Sequence, residues 1–163
     1  IQNVKLRTSF IVGFPGETEA HFEHLHNTIQ QVKWDRLGVF EYSDVDTAAS
    51  TRLDGKVSPA HIRQRRKRIM ETQQRISFEL NDALVGQTLP VIIDAMTPKG
   101  LYVGRTQWDS PEIDNTVIIR AKTPIFPGDV VPVTITGATP YDLKGQLAET
   151  AKSLELNSSL LAV

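Results

Sequence analysis

Ile11-Val12-Gly13-Phe14-Pro15-Gly16-Glu17-Thr18 is the stretch from which the fold is read. An apolar run, Leu6 to Val12, enters Gly-Phe-Pro-Gly, and an amphipathic segment opens directly after it. Pro15 presets φ for a turn, while Gly13 and Gly16 let backbone pass where a side chain would clash. Glu17 and Glu19 are expected in the first helical turn, where the helix dipole favours anions. In an α/β protein this is the carboxyl end of a strand, the usual place for ligands. The stretch has neither the Gly-Lys-Ser/Thr of a phosphate loop nor the glycine spacing of a dinucleotide fingerprint. By itself it reads equally as a tight strand-to-helix turn.

Working outward, Phe22, Leu25, Ile29 and Val32 are spaced three, four and three apart, one face of a helix from about Thr18 to Lys33. Arg36 to Tyr42 reads as a second strand, so strand, helix and strand form a right-handed βαβ unit. A polar loop, Ser43 to Val57, follows. Ser58 as N-cap and Pro59 at the first helical position begin a long helix that stops near Gly86. Ile62, Ile69, Ile76 and Ala83 recur every seven residues along it.

Beyond Gln87 the pattern turns to short alternating runs: Leu89 to Ala95, Leu101 to Arg105, Ile113 to Ile119, Val131 to Ile135 and Leu143 to Leu147. Thr97-Pro98-Lys99-Gly100 and Pro127-Gly128 mark turns. Five short strands so arranged predict a small closed β-barrel of the OB or SH3 type. Glu149 to Val163 reads as a frayed tail.

Composition narrows the chemistry. The chain of 163 residues has 40% hydrophobic residues, enough for a core and against wholesale disorder. No apolar run approaches the roughly 20 residues of a membrane span, and the first residues do not read as a signal peptide. The start at Ile1 suggests a piece of something longer. With no cysteine, this chain excludes disulfides, thiolate zinc sites, cysteine nucleophiles and cysteine-ligated iron–sulfur clusters, and a cytoplasmic setting is expected. Net charge is −1, yet residues 59–85 carry +3 and residues 86–148 carry −1.

Three groups of side chains invite a chemical reading. His21, His24 and His26 could share a helix face, but no further ligand has suitable spacing and no metal is expected. Asp44 and Asp46 are ordinary loop acids or a carboxylate pair, and no catalytic triad has the right context. The basic run at residues 63–68 is either a solvated or inter-domain face or a phosphate-tracking footprint. The barrel segment is slightly acidic, with Trp108, Asp109, Glu112 and Asp114 in one turn. Such a surface repels phosphate and attracts a Lys- or Arg-rich protein.

The order of parts resembles a known family. Thr8 to Thr18, Gly38-Val39-Phe40-Glu41-Tyr42-Ser43 and the Arg-rich helix running through Gln73-Gln74-Arg75-Ile76-Ser77 are similar to the later part of radical S-adenosylmethionine methylthiotransferases. Residues 86–148 resemble the TRAM domain that ends those enzymes. Pro111-Glu112-Ile113-Asp114, Ile135-Thr136-Gly137-Ala138 and Tyr141-Asp142-Leu143 resemble the branch that modifies an aspartate of small-subunit ribosomal protein twelve. The resemblance implies an α/β plus all-β chain: residues 1–85 ending a TIM-like radical domain, with residues 58–85 as connecting helix, and residues 86–148 an OB-like barrel. It implies S-adenosylmethionine and two 4Fe-4S clusters in the parent enzyme. Ile11 and Gly13 would contact the cofactor, and no catalytic residue lies in this chain.

Departures accompany the match. The three-cysteine radical motif is absent, and Val45-Asp46-Thr47 stands where the family often has a glycine before Thr. Ribosomal protein twelve is the partner implied, with RNA as a further one through the barrel and no membrane. A tRNA-modifying relative and a non-catalytic binding module are the alternatives. On its own the fragment is expected to be inactive.

Overall fold

The computed structural model describes residues 4–148, and the expected tail at residues 149–163 lies outside them. The described residues divide into two compact units, with the boundary between Leu80 and Asn81.

In the first unit, β1 (Arg7–Val12) and β2 (Arg36–Glu41) pair in parallel, with Ile11 opposite Phe40. Between them runs α1 (Glu19–Val32), and α2 (Pro59–Asp82) follows. Val12 and Val39 from the sheet, Phe22 and Ile29 from α1, and Ile62, Ile69 and Ile76 from α2 form one buried cluster. The seven-residue spacing on α2 is thus the stripe turned to this core, while Ala83 lies past the helix and is exposed. Among the described residues, β1 and β2 pair only with each other.

Local chemistry sets the ends of α1. Its N-cap is Thr18, whose hydroxyl accepts from the His21 amide while the His21 ring accepts from the Thr18 amide. A histidine therefore fills the place that Glu or Gln usually takes in a capping box. Lys33 closes the helix in the left-handed region at φ 52°. Glu17 precedes the cap and is not in the first helical turn, contrary to the expectation from sequence. The loop after β2 contains a short 3-10 helix, Ala49–Arg52.

The second unit is a closed barrel. Its strands are β3 (Thr88–Met96), β4 (Tyr102–Thr106), β5 (Thr116–Arg120), β6 (Val130–Ala138) and β7 (Asp142–Leu147). They close in the order β3-β4-β5-β7-β6, and β5 and β7 pair in parallel. This Greek-key crossing selects the OB alternative over the SH3 one. The long β3 serves both neighbours, passing from β6 to β4 around a bulge between Ile93 and Ala95. Leu89, Val91, Ile93, Val117, Ile119, Val133, Ile135 and Leu143 alternate inward and fill the barrel. At Gly104 the wall leaves no room: an added Cβ would collide with the Ile92 carbonyl oxygen.

One expected strand begins later than its sequence suggests. Residues 111–114 are turn, β5 starts at Thr116, and Ile113 is 76% exposed. Buried Asn81 and Asn115 organise this end of the barrel. Asn81 Nδ2 donates to the carbonyls of Thr139 (2.8 Å) and Pro140 (3.3 Å), and its Oδ1 accepts from Asn115 Nδ2 at 3.0 Å.

Candidate functional site

The turn after β1 is held by several backbone hydrogen bonds. The Glu17 amide donates to the Phe14 carbonyl at 2.9 Å, closing the turn over Pro15. The Gly16 amide donates to the Gly55 carbonyl at 2.9 Å, which brings in the loop after β2. Tyr42 N–H donates to the Val12 carbonyl at 2.9 Å, and the rings of Phe14 and Tyr42 meet edge-on at 5.4 Å. Tyr42 Oη and Lys56 Nζ both donate to Asp44 Oδ1. The Lys56 hydrogen bond foremost, then that of Tyr42, lowers the Asp44 pKa.

A carboxylate completes the turn. Glu17 Oε2 accepts from the Gly13 amide at 2.7 Å, and its Oε1 accepts from Arg65 Nη1 at 2.8 Å. Arg65 Nη2 donates to Glu19 Oε2 at 3.0 Å, and its guanidinium lies over the Phe22 ring. Next along α2, Arg68 forms a two-pronged pair with Glu23, at 2.7 and 3.3 Å. That hydrogen bond lowers the Glu23 pKa and raises that of Arg68. Arg66 Nε donates to the Val39 carbonyl at 3.3 Å.

The basic run is therefore not simply a solvated face. Arg65 is only 8% exposed and, like Arg68, is paired to acids on or just before α1. The signal was present in the spacing: Arg65 lies three residues after Ile62 and four before Ile69, on the buried stripe. Among the described residues, no group of three or more His, Cys, Asp or Glu is placed to hold a metal ion. The three histidines are dispersed: His21 caps α1, and His26 hydrogen-bonds Thr72 at 2.9 Å while stacking on Phe22.

Ile11 and Gly13 have different circumstances. Ile11 is 58% exposed beside its register partner Phe40, 59% exposed, on the sheet face opposite the helix-packed core. Together they place two exposed apolar side chains side by side near the strand ends. Gly13 is buried at φ 83°, and a Cβ there would collide with the Ile62 side chain. Its lack of a side chain serves the close approach of α2, and its amide is committed to Glu17. The site's polar shape is built by Glu17, read from sequence as a helix-dipole acid, and Arg65, read as part of the basic run; their pairing was not foreseen.

In the second unit the acidic turn is internally organised. Asp109 is 6% exposed, and its Oδ2 accepts from the Thr106 hydroxyl at 2.6 Å. Asp114 Oδ2 accepts from the Ser110 amide at 2.7 Å, and Trp108 packs half-buried against the barrel core. Glu112 is exposed and adopts φ 63°. The four residues do lie in one turn, but Asp109 faces inward, where the Thr106 hydroxyl meets the requirement of a buried carboxylate for a donor. Sequence alone does not separate a loop-shaping aspartate from a partner-facing one.

Comparison with known proteins follows the same division. Residues 85–148 match the TRAM domain model. The ribosomal protein uS12 methylthiotransferase RimO of Desulforamulus reducens is 41% identical over 151 residues, 91% of this chain and 34% of that protein. RimO of Methylobacterium radiotolerans is 46% identical over 146 residues, 90% of this chain and 32% of that protein. RimO of Carboxydothermus hydrogenoformans is 41% identical over 147 residues, 90% of this chain and 34% of that protein. The chain thus spans about a third of the length of the curated relatives it matches. Over about nine tenths of its length the chain matches a C-terminal fragment of RimO proteins, TRAM domain included.

Proposed function

We propose that this chain is the C-terminal part of a methylthiotransferase that adds a methylthio group to the β-carbon of an aspartate of protein uS12. The observation that carries this reading is the extent of the similarity, which runs through both units and covers about nine tenths of the chain. On this reading residues 1–85 close a TIM-like radical domain and residues 86–148 are its TRAM domain. The setting is the cytoplasm, and no helix among the described residues is long and apolar enough to cross a membrane.

The cofactors divide by fit. The chain has no cysteine, so it does not ligate either 4Fe-4S cluster, and those belong to the remainder of the enzyme. S-adenosylmethionine fits better: Ile11 and Phe40 give an apolar surface for the adenine, and Gly13 gives the turn its shape. When bound, that cofactor supplies the radical that abstracts hydrogen from the substrate carbon. The residues of this chain orient it and exclude water around its adenosine.

Docking of uS12 is assigned to the barrel's acidic turn, with Trp108, Asp109, Glu112 and Asp114 as its elements. Trp108, Asp109 and Asp114 set the loop, and Glu112 is the exposed acid that meets a basic partner. The test is a titration of the full chain with purified uS12 and, in parallel, with tRNA, each at two salt concentrations. Binding to uS12 that weakens with salt and with Glu112→Lys is expected. Preference for tRNA would replace the substrate assignment with a nucleic-acid one.

A further inference from the structure

We propose that Arg65 is a positioning residue for the cofactor-facing turn, acting through Glu17. This rests on the reading of that turn as the adenosine contact. The geometry is a relay of two carboxylate oxygens. One Glu17 oxygen holds the Gly13 amide at 2.7 Å, and the other is held by Arg65 at 2.8 Å. Arg65 is fixed in turn by Glu19 at 3.0 Å and by the Phe22 face, so its fork has one orientation. A residue on α2 thereby sets the backbone at the end of β1.

The same arrangement is a poor device for stability alone. A partly buried ion pair loses much of its attraction to desolvation. The Arg65 Nε is buried and meets no acceptor among the described residues. An apolar side chain would pack this position at less electrostatic cost, but it would not orient a carboxylate toward the Gly13 amide. Without that orientation, Gly13 loses the acceptor that keeps its amide from the ligand side. The turn at residues 14–16 could then rotate about a glycine already at positive φ. The strand end bearing Ile11 would lose its fixed edge.

The experiment has two readouts. Amide exchange of the 163-residue chain reports the clamp directly: Arg65→Met is expected to speed exchange at Gly13 by about tenfold or more. Amides of α2 between Ile62 and Ile69 serve as the internal reference for folding. Should Arg65→Met unfold the unit, Glu17→Gln decides instead, since it keeps Arg65 and the shape but removes one acceptor. Arg65→Lys is expected to be intermediate, because an ammonium lacks the fork. Glu79→Gln, which breaks the exposed pair with Lys33 and touches neither Arg65 nor its partners, is expected to leave Gly13 unchanged.

The second readout is equilibrium binding of S-adenosylhomocysteine, a non-reacting probe, to the full-length enzyme containing this region. Arg65→Met is expected to weaken it about tenfold, with Glu79→Gln unaffected. Wild-type enzyme that fails to bind the probe overturns the cofactor reading and the positioning role with it. Wild-type binding that Arg65→Met and Glu17→Gln leave untouched overturns the positioning role alone. Unchanged Gly13 exchange in a folded Arg65→Met chain overturns the relay itself.

Discussion

The two units solve the problem of strand edges in opposite ways. The barrel has five strands closed on themselves around an alternating aliphatic interior, so every strand has two partners. The α/β unit has two strands that, among the described residues, pair only with each other. Its helices are fastened across their faces by Arg65 and Arg68 to Glu17, Glu19 and Glu23. One unit is specified by shape and the other by directed charge as well as a core. A closed sheet needs no further partner for its backbone, whereas an open pair of strands presents both edges.

The largest test of this contrast removes shape from the barrel. Leu143→Ala truncates a side chain 1% exposed at the centre of the interior and is expected to cost about 2–5 kcal/mol. Denaturant melts of the full chain, followed by exchange of barrel amides, measure it. Next, Gly13→Ala strikes the α/β unit where charge and packing meet. The φ of 83° and the collision with Ile62 together are expected to cost about 2–4 kcal/mol. In an Ile62→Ala background the same substitution should cost less, since the colliding side chain is gone, and a double-mutant cycle gives the difference.

A smaller effect separates the units by pH. Burial foremost, then the charge of Arg68, lowers the His26 pKa from its ordinary 6.5. The unfolded chain therefore takes up a proton before the folded one, and folding stability falls as pH drops from about 6.5 to the folded value. Below that value the loss levels off. His26→Gln should remove this slope from the exchange of α1 amides and leave barrel amides unaffected. Smallest is Glu112→Gly, which relieves a left-handed residue in the acidic turn. A gain of a few tenths to about 1 kcal/mol is expected, detectable as a shift in the barrel's denaturant midpoint.

Much of this was legible because periodicity reports which face is buried. The spacing of Phe22, Ile29, Ile62, Ile69 and Ile76 gave the α/β core, and alternation at Val131, Val133 and Ile135 gave a barrel strand. The start of β5 was not legible, since Ile113 extends an apolar alternation although it lies in a turn and is exposed. Arg65 was only half legible: its spacing from Ile62 and Ile69 puts it on the buried stripe, but its partner is not local. A charged residue in a basic run reads as solvated unless its partner is known, and Glu17 is 48 residues away. Asp109 illustrates the same limit within three residues. Its bond to the buried Thr106 hydroxyl depends on how the turn bends, which residue type does not encode.

The position of β7 between β5 and β6 has a consequence for how the molecule is made. During synthesis, β3, β4, β5 and β6 emerge first, yet β5 and β6 do not pair with each other and both await residues 142–147. No hairpin-by-hairpin zippering can finish the barrel. Its seam joins strands far apart in sequence, a topology that folds slowly because loop closure precedes the reward. A chain whose residues 142–147 have not yet docked is therefore a sheet with two open edges, the state most exposed to misassociation. The last strand of the barrel is thus also its folding checkpoint.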